Sequence, residues 1–194
     1  MLLRRGLLSS KQVPNTVTIP FTADFAASNG ATPSVNSGCT LSADSLYIPS
    51  GCCVEYKLSD LYPKDFTNLS LEMDLMYTKT KAAHGWFDFF AIEHVYNKPA
   101  GVNYNDSPRE KFKCFDVCAL DAIQKYAYFH VIVTADFSQG DVLIPHGEVV
   151  DFATRPITPF SIARPSAIRL GHYYPSALHD GWQGYVKNVK ITFD

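Results

Sequence analysis

Several things are missing from this chain, and each absence removes a class of function. No run of residues approaches the roughly 18 consecutive apolar positions that a membrane-spanning helix needs, so no membrane span is expected. An excess of one charge is missing too. The 17 Lys and Arg against 19 Asp and Glu leave a net charge of -2. No overall field then draws the protein to nucleic acid or to acidic lipid. An even cysteine framework is absent: the five Cys stand at 39, 52, 53, 114 and 118, two of them adjacent, which is a poor basis for disulfides. Cys114 and Cys118 have no His pair at finger spacing, so zinc is not expected. Free thiols, buried and made in a reducing cytosol, are the expected state. The start, MLLRRGLLSSKQVPN, interrupts its apolar residues with Arg4 and Arg5 and lacks the apolar core of about 7–15 residues that a signal peptide needs. Neither a Ser/His/Asp order, a phosphate loop nor an HExxH motif is found. A sustained 3.6-residue period is also lacking, which excludes a helix bundle.

What is present is alternation. The chain has 194 residues, enough for one domain with a well-buried core. Its 46% hydrophobic and 19% charged residues are an ordinary globular balance, and eleven Tyr and thirteen Phe suit sheet faces. In the last stretch, Tyr185, Val189, Ile191 and Phe193 fall on one parity and Gly184, Asn188, Lys190 and Thr192 on the other. Such period-2 alternation predicts a half-buried closing strand. Residues 16–25 alternate in the same way, with Val17, Ile19, Phe21, Ala23 and Phe25 on one face. Residues 40–48 and 52–58 read as strands joined at Pro49-Ser50-Gly51. Residues 69–79 give the clearest strand, and residues 86–96 are apolar on both parities, as a strand covered on both sides would be. Short strands are predicted at 111–117 and 128–137, with a hairpin around Pro145-His146-Gly147. Three prolines make 153–166 irregular.

The result is an all-β reading: residues 16–194 as one sandwich of two antiparallel sheets, preceded by an extended N-terminal arm, residues 1–15. Leu2, Leu3, Arg4 and Arg5 lie in this arm, which either docks on a neighbouring subunit as an assembly device, making a homo-oligomer or a larger assembly, or lies on its own domain. The segment 171–182, GHYYPSALHDGW, is dense in rings. His172, Tyr173, Tyr174 and His179, with His84 from the preceding half, are the candidate binding residues, for a glycan or for a subunit interface. Asp136 and Asp141 flank a turn. They are the one hint of calcium, but calcium wants six to eight oxygens, and turn capping accounts for both. No cofactor is expected.

From residue 128 onward the sequence resembles a known superfamily. Tyr128-Phe129-His130-Val131-Ile132-Val133-Thr134 resembles the W-x-H-V-A-V-T strand of laminin-G-like domains. Val142 to Val150 resembles their L-Y-V-D-G-x-L-V hairpin. Ile168-Arg169-Leu170-Gly171, followed by Trp182-Gln183-Gly184-Tyr185-Val186-Lys187-Asn188-Val189-Lys190-Ile191, resembles their closing I-G … F-x-G-x-I-x-N-V-x-I. The resemblance implies the concanavalin A-like lectin and glucanase superfamily, a jelly-roll sandwich whose members bind carbohydrate or protein, sometimes with calcium. It makes Trp182, which stands where the family has a buried Phe, a core residue. Such domains are common in bacteriophage virions. The resemblance therefore implies a virion protein made in the host cytosol, with other virion subunits as partners and a glycan or cell-surface receptor as ligand. A free-standing extracellular lectin is the alternative. Glu72-Met73-Asp74-Leu75-Met76-Tyr77 resembles the E-x-D-x-x-E strand of the family's glucanases, but Tyr77 stands where the second carboxylate belongs. Retaining hydrolysis needs two carboxylates, so no enzyme activity is expected.

Overall fold

The computed structural model describes residues 15–22, 25–35, 38–78, 86–91, 113–116, 126–136, 141–142, 146–147, 166–172 and 182–194. The expected arm, residues 1–15, lies outside them except for Asn15. Apart from one helical turn, the regular structure of the described residues is all strand. In order these are β1 (Thr16–Ile19), β2 (Ser34–Val35), β3 (Thr40–Ser42), β4 (Ser45–Ile48), β5 (Cys53–Lys57), the single helical turn α1 (Leu58–Leu61), β6 (Asn68–Tyr77), β7 (Trp86–Ala91), β8 (Lys113–Asp116), β9 (Phe129–Asp136), β10 (Asp141–Val142), β11 (His146–Gly147), β12 (Ala167–Gly171) and β13 (Gly184–Phe193).

They form two antiparallel sheets. The larger runs β10-β9-β6-β13-β4-β3, with β1 added to β13 and β11 added to β9. The smaller runs β2-β5-β12-β7-β8. The expected closing strand is therefore a central one: β13 lies between β6 and β4. The core fills the space between the sheets. Leu71, Met73 and Leu75 of β6, Val131 and Val133 of β9, and Val189, Ile191 and Phe193 of β13 meet Val54, Tyr56, Phe87, Phe89, Ile168 and Leu170 from the other side. Burying a side chain of this size fully is worth about 1.5–3 kcal/mol. Trp182 bridges the layers, with 0% of its surface exposed. Its ring lies 5.1 Å from Phe87 in the smaller sheet and 5.3 Å from Tyr77 in the larger, centroid to centroid. Gly184 is required beside it, because a Cβ there would come within 1.9 Å of the Met76 carbonyl oxygen.

Four local readings change. Residues 40–48 are a hairpin rather than one strand, because Ala43 turns the chain at φ 56° between β3 and β4. The first strand stops at Ile19, and Phe21 and Phe25 take left-handed conformations at φ 43° and 56°. Within β13 the pairing with β6 slips by one residue between Lys187 and Lys190, and Asn188 sits at φ 54°. This bulge reverses the alternation: Val186 points into the core and Tyr185 points out. Finally, His146-Gly147 is not a hairpin turn. Both β10 and β11 pair antiparallel with β9, at Asp136–Ala135 and then at Ile132–Val131. Both therefore lie along the same edge of β9.

Candidate functional site

Three places carry polar chemistry on this frame. The first is the outer face of the smaller sheet. Each of its three central strands buries one charge: Glu55 in CVEYK, whose terminal Lys57 is exposed, Asp88 in WFDFFA and Arg169 in AIRLG. The ladder sets Arg169 opposite Glu55 and Gly171 opposite Asp88. All three charges are buried, with exposures of 0% for Glu55, 2% for Arg169 and 4% for Asp88. Arg169 donates from Nε to Glu55 Oε1 at 2.6 Å, and its Nη2 also bonds Glu55. Its Nη1 reaches Asp88 Oδ2 at 3.3 Å. His172 Nδ1 lies 3.0 Å from the same oxygen. Burial alone would push the Asp88 pKa up, but His172 and Arg169 outweigh it and hold the carboxyl below its ordinary value. Cys53 lies on the same face, and burial pushes its thiol far up, against the pull of Arg169. Burial and Cys52 push Cys39 up to about 12. Neither offers a thiolate near neutral pH.

The second place is the outer face of the larger sheet. Glu72 and Asp74 point outward there, as the alternation predicts. Lys190 donates to Glu72 at 3.3 Å. Asp74 accepts from Asn188 Nδ2 at 2.7 Å, and His130 Nδ1 lies 2.8 Å from its other oxygen. Beside this polar row, Tyr185 pairs with Tyr47 and with Met76 across the strands. The Tyr47 and Tyr185 rings are 5.1 Å apart, and Lys187 sits 4.0 Å over the exposed Tyr128 ring.

The third place is concave. A pocket of about 310 Å³ opens where α1 meets the start of β12, lined by Leu58, Ser59, Tyr62, Pro63, Lys64, Phe66 and Ser166. Its walls are fixed. Asn29 donates to the carbonyls of Asp60 and Leu61 and so holds the end of the helical turn. Ser166 accepts from Leu58 N and donates to Ala91 O, which ties the pocket to β7. The Tyr62 ring lies flat on Phe193, 4.6 Å away and 5° from parallel, and Phe66 packs edge-on against both. Lys64 Nζ sits 6.0 Å from the Tyr62 ring centre.

Of the residues singled out from the sequence, His172 is 4% exposed and engaged with Asp88, so it belongs to the buried network. Tyr173, Tyr174, His179 and His84, and the arm residues Leu2, Leu3, Arg4 and Arg5, lie outside the described residues. Asp136 and Asp141 are backbone partners across β9 and β10. Among the described residues no three His, Cys, Asp or Glu cluster as metal ligands would. Sequence reasoning missed Glu55, Asp88, Arg169 and the pocket. A charge set among apolar neighbours in each of three strands was the available signal for the network. Nothing local pointed to the pocket, because Ser166 reaches Leu58 only through the pairing of β12 with β5.

No family model and no curated protein matches the chain. Solved structures do. Trypanosoma rangeli sialidase, in complex with 2,3-difluorosialic acid, matches with a TM-score of 0.57 at 10% identity, over 91% of this chain and 30% of the sialidase. Domain 4 of AbnA, an extracellular arabinanase of Geobacillus stearothermophilus, solved with arabinotriose, matches at 0.55 and 13% identity, over 92% of this chain and 91% of that one. Botulinum neurotoxin type C matches at 0.53 and 11% identity, over 91% of this chain and 47% of the toxin chain. The shared feature is the fold. The chain spans less than a third of the sialidase and about half of the toxin chain, but nearly the whole arabinanase domain.

Proposed function

We propose that this chain is a non-catalytic carbohydrate-binding module, a jelly-roll sandwich of the concanavalin A-like and laminin-G-like kind, and that the pocket beside α1 takes the glycan. The observation that carries the reading is Tyr62. Its ring is held flat against Phe193 at the edge of a preformed pocket, so it can stack on the C–H face of a sugar without losing further freedom. Ser59 and Ser166 supply hydroxyls beside it. The pocket volume sits at the low end of the range of about 300–1,000 Å³ for small-molecule sites, which suits one or two sugar rings. Two fold neighbours point the same way: the AbnA domain was solved with arabinotriose, and cell entry of the type C toxin depends on two ganglioside molecules. The non-catalytic half is supported by the carboxylates themselves. Glu72 and Asp74 are engaged on the outer sheet by Lys190, Asn188 and His130, and Glu55 and Asp88 by Arg169 inside. The virion-subunit reading runs through the arm, outside the described residues. The glycan reading stands on described atoms.

A glycan-array screen of the full chain tests it, alongside Tyr62→Ala and the pocket-filling Ser59→Trp. Retention of a defined glycan set, lost in both variants, is the expected result. Array binding that survives both substitutions, or no binding at all, rejects the pocket as the site.

A further inference from the structure

The pocket beside α1 lies next to the point where the chain enters the fold. The carbonyl of Asn15 accepts from Phe193 N at 2.8 Å, just ahead of the pairing of Thr16 with Thr192. Phe193 is the residue on whose ring Tyr62 lies, and Phe66 packs edge-on against the same ring. Tyr62 and Phe66 both line the pocket. The segment before Asn15 therefore joins the fold one aromatic layer away from the pocket.

The composition of that segment matches what lies there. Residues 1–14, MLLRRGLLSSKQVP, carry Arg4, Arg5 and Lys11, no Asp or Glu, and two leucine pairs. The pocket offers Leu58, Pro63 and Phe66 as apolar wall beside Tyr62. The stretch that builds most of it, residues 58–66, holds two exposed carboxylates, Asp60 and Asp65, against one ammonium, Lys64. An apolar and basic segment is thus tethered beside an apolar hollow set in a net acidic stretch, so shape and charge are complementary together. Lys64 keeps its place over the Tyr62 ring, because the contacts come from the apolar wall and the two carboxylates. Reach is sufficient: seven residues separate Leu8 from Asn15, about 23–25 Å when extended. A tether this short raises the effective concentration of the leucines to the order of millimolar, so even weak docking is populated.

We infer that residues 1–14 dock in cis on this pocket, with Leu7 and Leu8 against its apolar wall and Lys11 at Asp60 or Asp65. The chain then carries its own competitor for the site. The docking goes beyond the glycan reading and stands apart from it; only the consequence, that a glycan must displace the arm, rests on that reading.

Zero-length carbodiimide cross-linking of the full chain, read by mass spectrometry, tests the docking. A link from Lys11 to Asp60 or Asp65 is expected within the monomer. Leu7→Ser combined with Leu8→Ser should cut its yield at least fivefold, and so should the pocket-filling Ser59→Trp. A synthetic peptide of residues 1–14 should bind the double leucine variant at least tenfold more tightly than the wild-type chain, whose own arm holds the pocket. A link found only in a covalent dimer gives the pocket to the arm of a second copy and overturns docking in cis. Equal peptide affinity for the two chains, no link at all, or a link indifferent to the substitutions overturns it too. A silent glycan array removes the glycan reading alone, because neither the link nor the peptide needs a glycan.

Discussion

The two sheets turn opposite outer faces to their surroundings. On the larger sheet, Glu72 and Lys190 form an ion pair with side-chain exposures of 31% and 46%. On the smaller sheet, Glu55, Arg169, Asp88 and His172 make the same kind of contacts with almost no exposure. The chemistry is the same and the depth is not. In water, an exposed pair gains little, because solvent already satisfies both partners. In the interior each charge has lost its hydration, and each depends on the other charges to offset that loss. The arrangement also leaves a remainder: Asp88 Oδ1 is buried without a hydrogen-bond partner among the described residues. One face should therefore tolerate change that the other does not.

The sharpest way to break this contrast is Arg169→Met, which removes the cation shared by two buried carboxylates. A loss of about 3–5 kcal/mol is expected, read as a lower urea midpoint at unchanged slope. A loss under about 1 kcal/mol would mean that the network is wet or already neutral. Next is Trp182, buried between the layers with its Nε1–H unpartnered among the described residues. Trp182→Ala should cost about 3–5 kcal/mol. Trp182→Phe is expected to cost under about 1.5 kcal/mol, since it keeps a ring and removes an unsatisfied donor.

Acid should separate the faces as well. The folded pKa of Asp88 lies below its unfolded value, so its contribution is present above the unfolded pKa, about 3.9, and is lost as pH falls through the folded one. Asp88→Asn should flatten the acid limb of a stability-against-pH curve below about pH 4. A wild-type curve with no such limb would contradict the assignment. The smallest effect belongs to the outer pair. Lys190→Gln or Glu72→Gln should move stability by no more than about 0.5 kcal/mol, and less in high salt.

The site was only partly legible beforehand. Trp182 read as core from its place in the closing motif, and Glu72 and Asp74 read as outward from simple alternation. His172 sits at the head of a ring-rich stretch, which suggested a ligand surface. Its fate was decided by Asp88, 84 residues away in the chain. Tyr62 lies in the connection between α1 and β6, where no local pattern marks it, because a platform is recognised by what lies behind it, and Phe193 is more than a hundred residues further on.

By itself the sequence determined the all-β class and the positions of most of the described strands, because the period-2 burial of a strand is a local property written into consecutive residues. The tertiary structure decided the rest. It set β13 in the middle of its sheet, aligned β10 and β11 along the same edge of β9, reversed the parity at Asn188, gathered three buried charges into a network and closed the pocket around Tyr62. Each of these depends on which strand lies alongside, and pairing partners come from distant segments whose register no local pattern encodes.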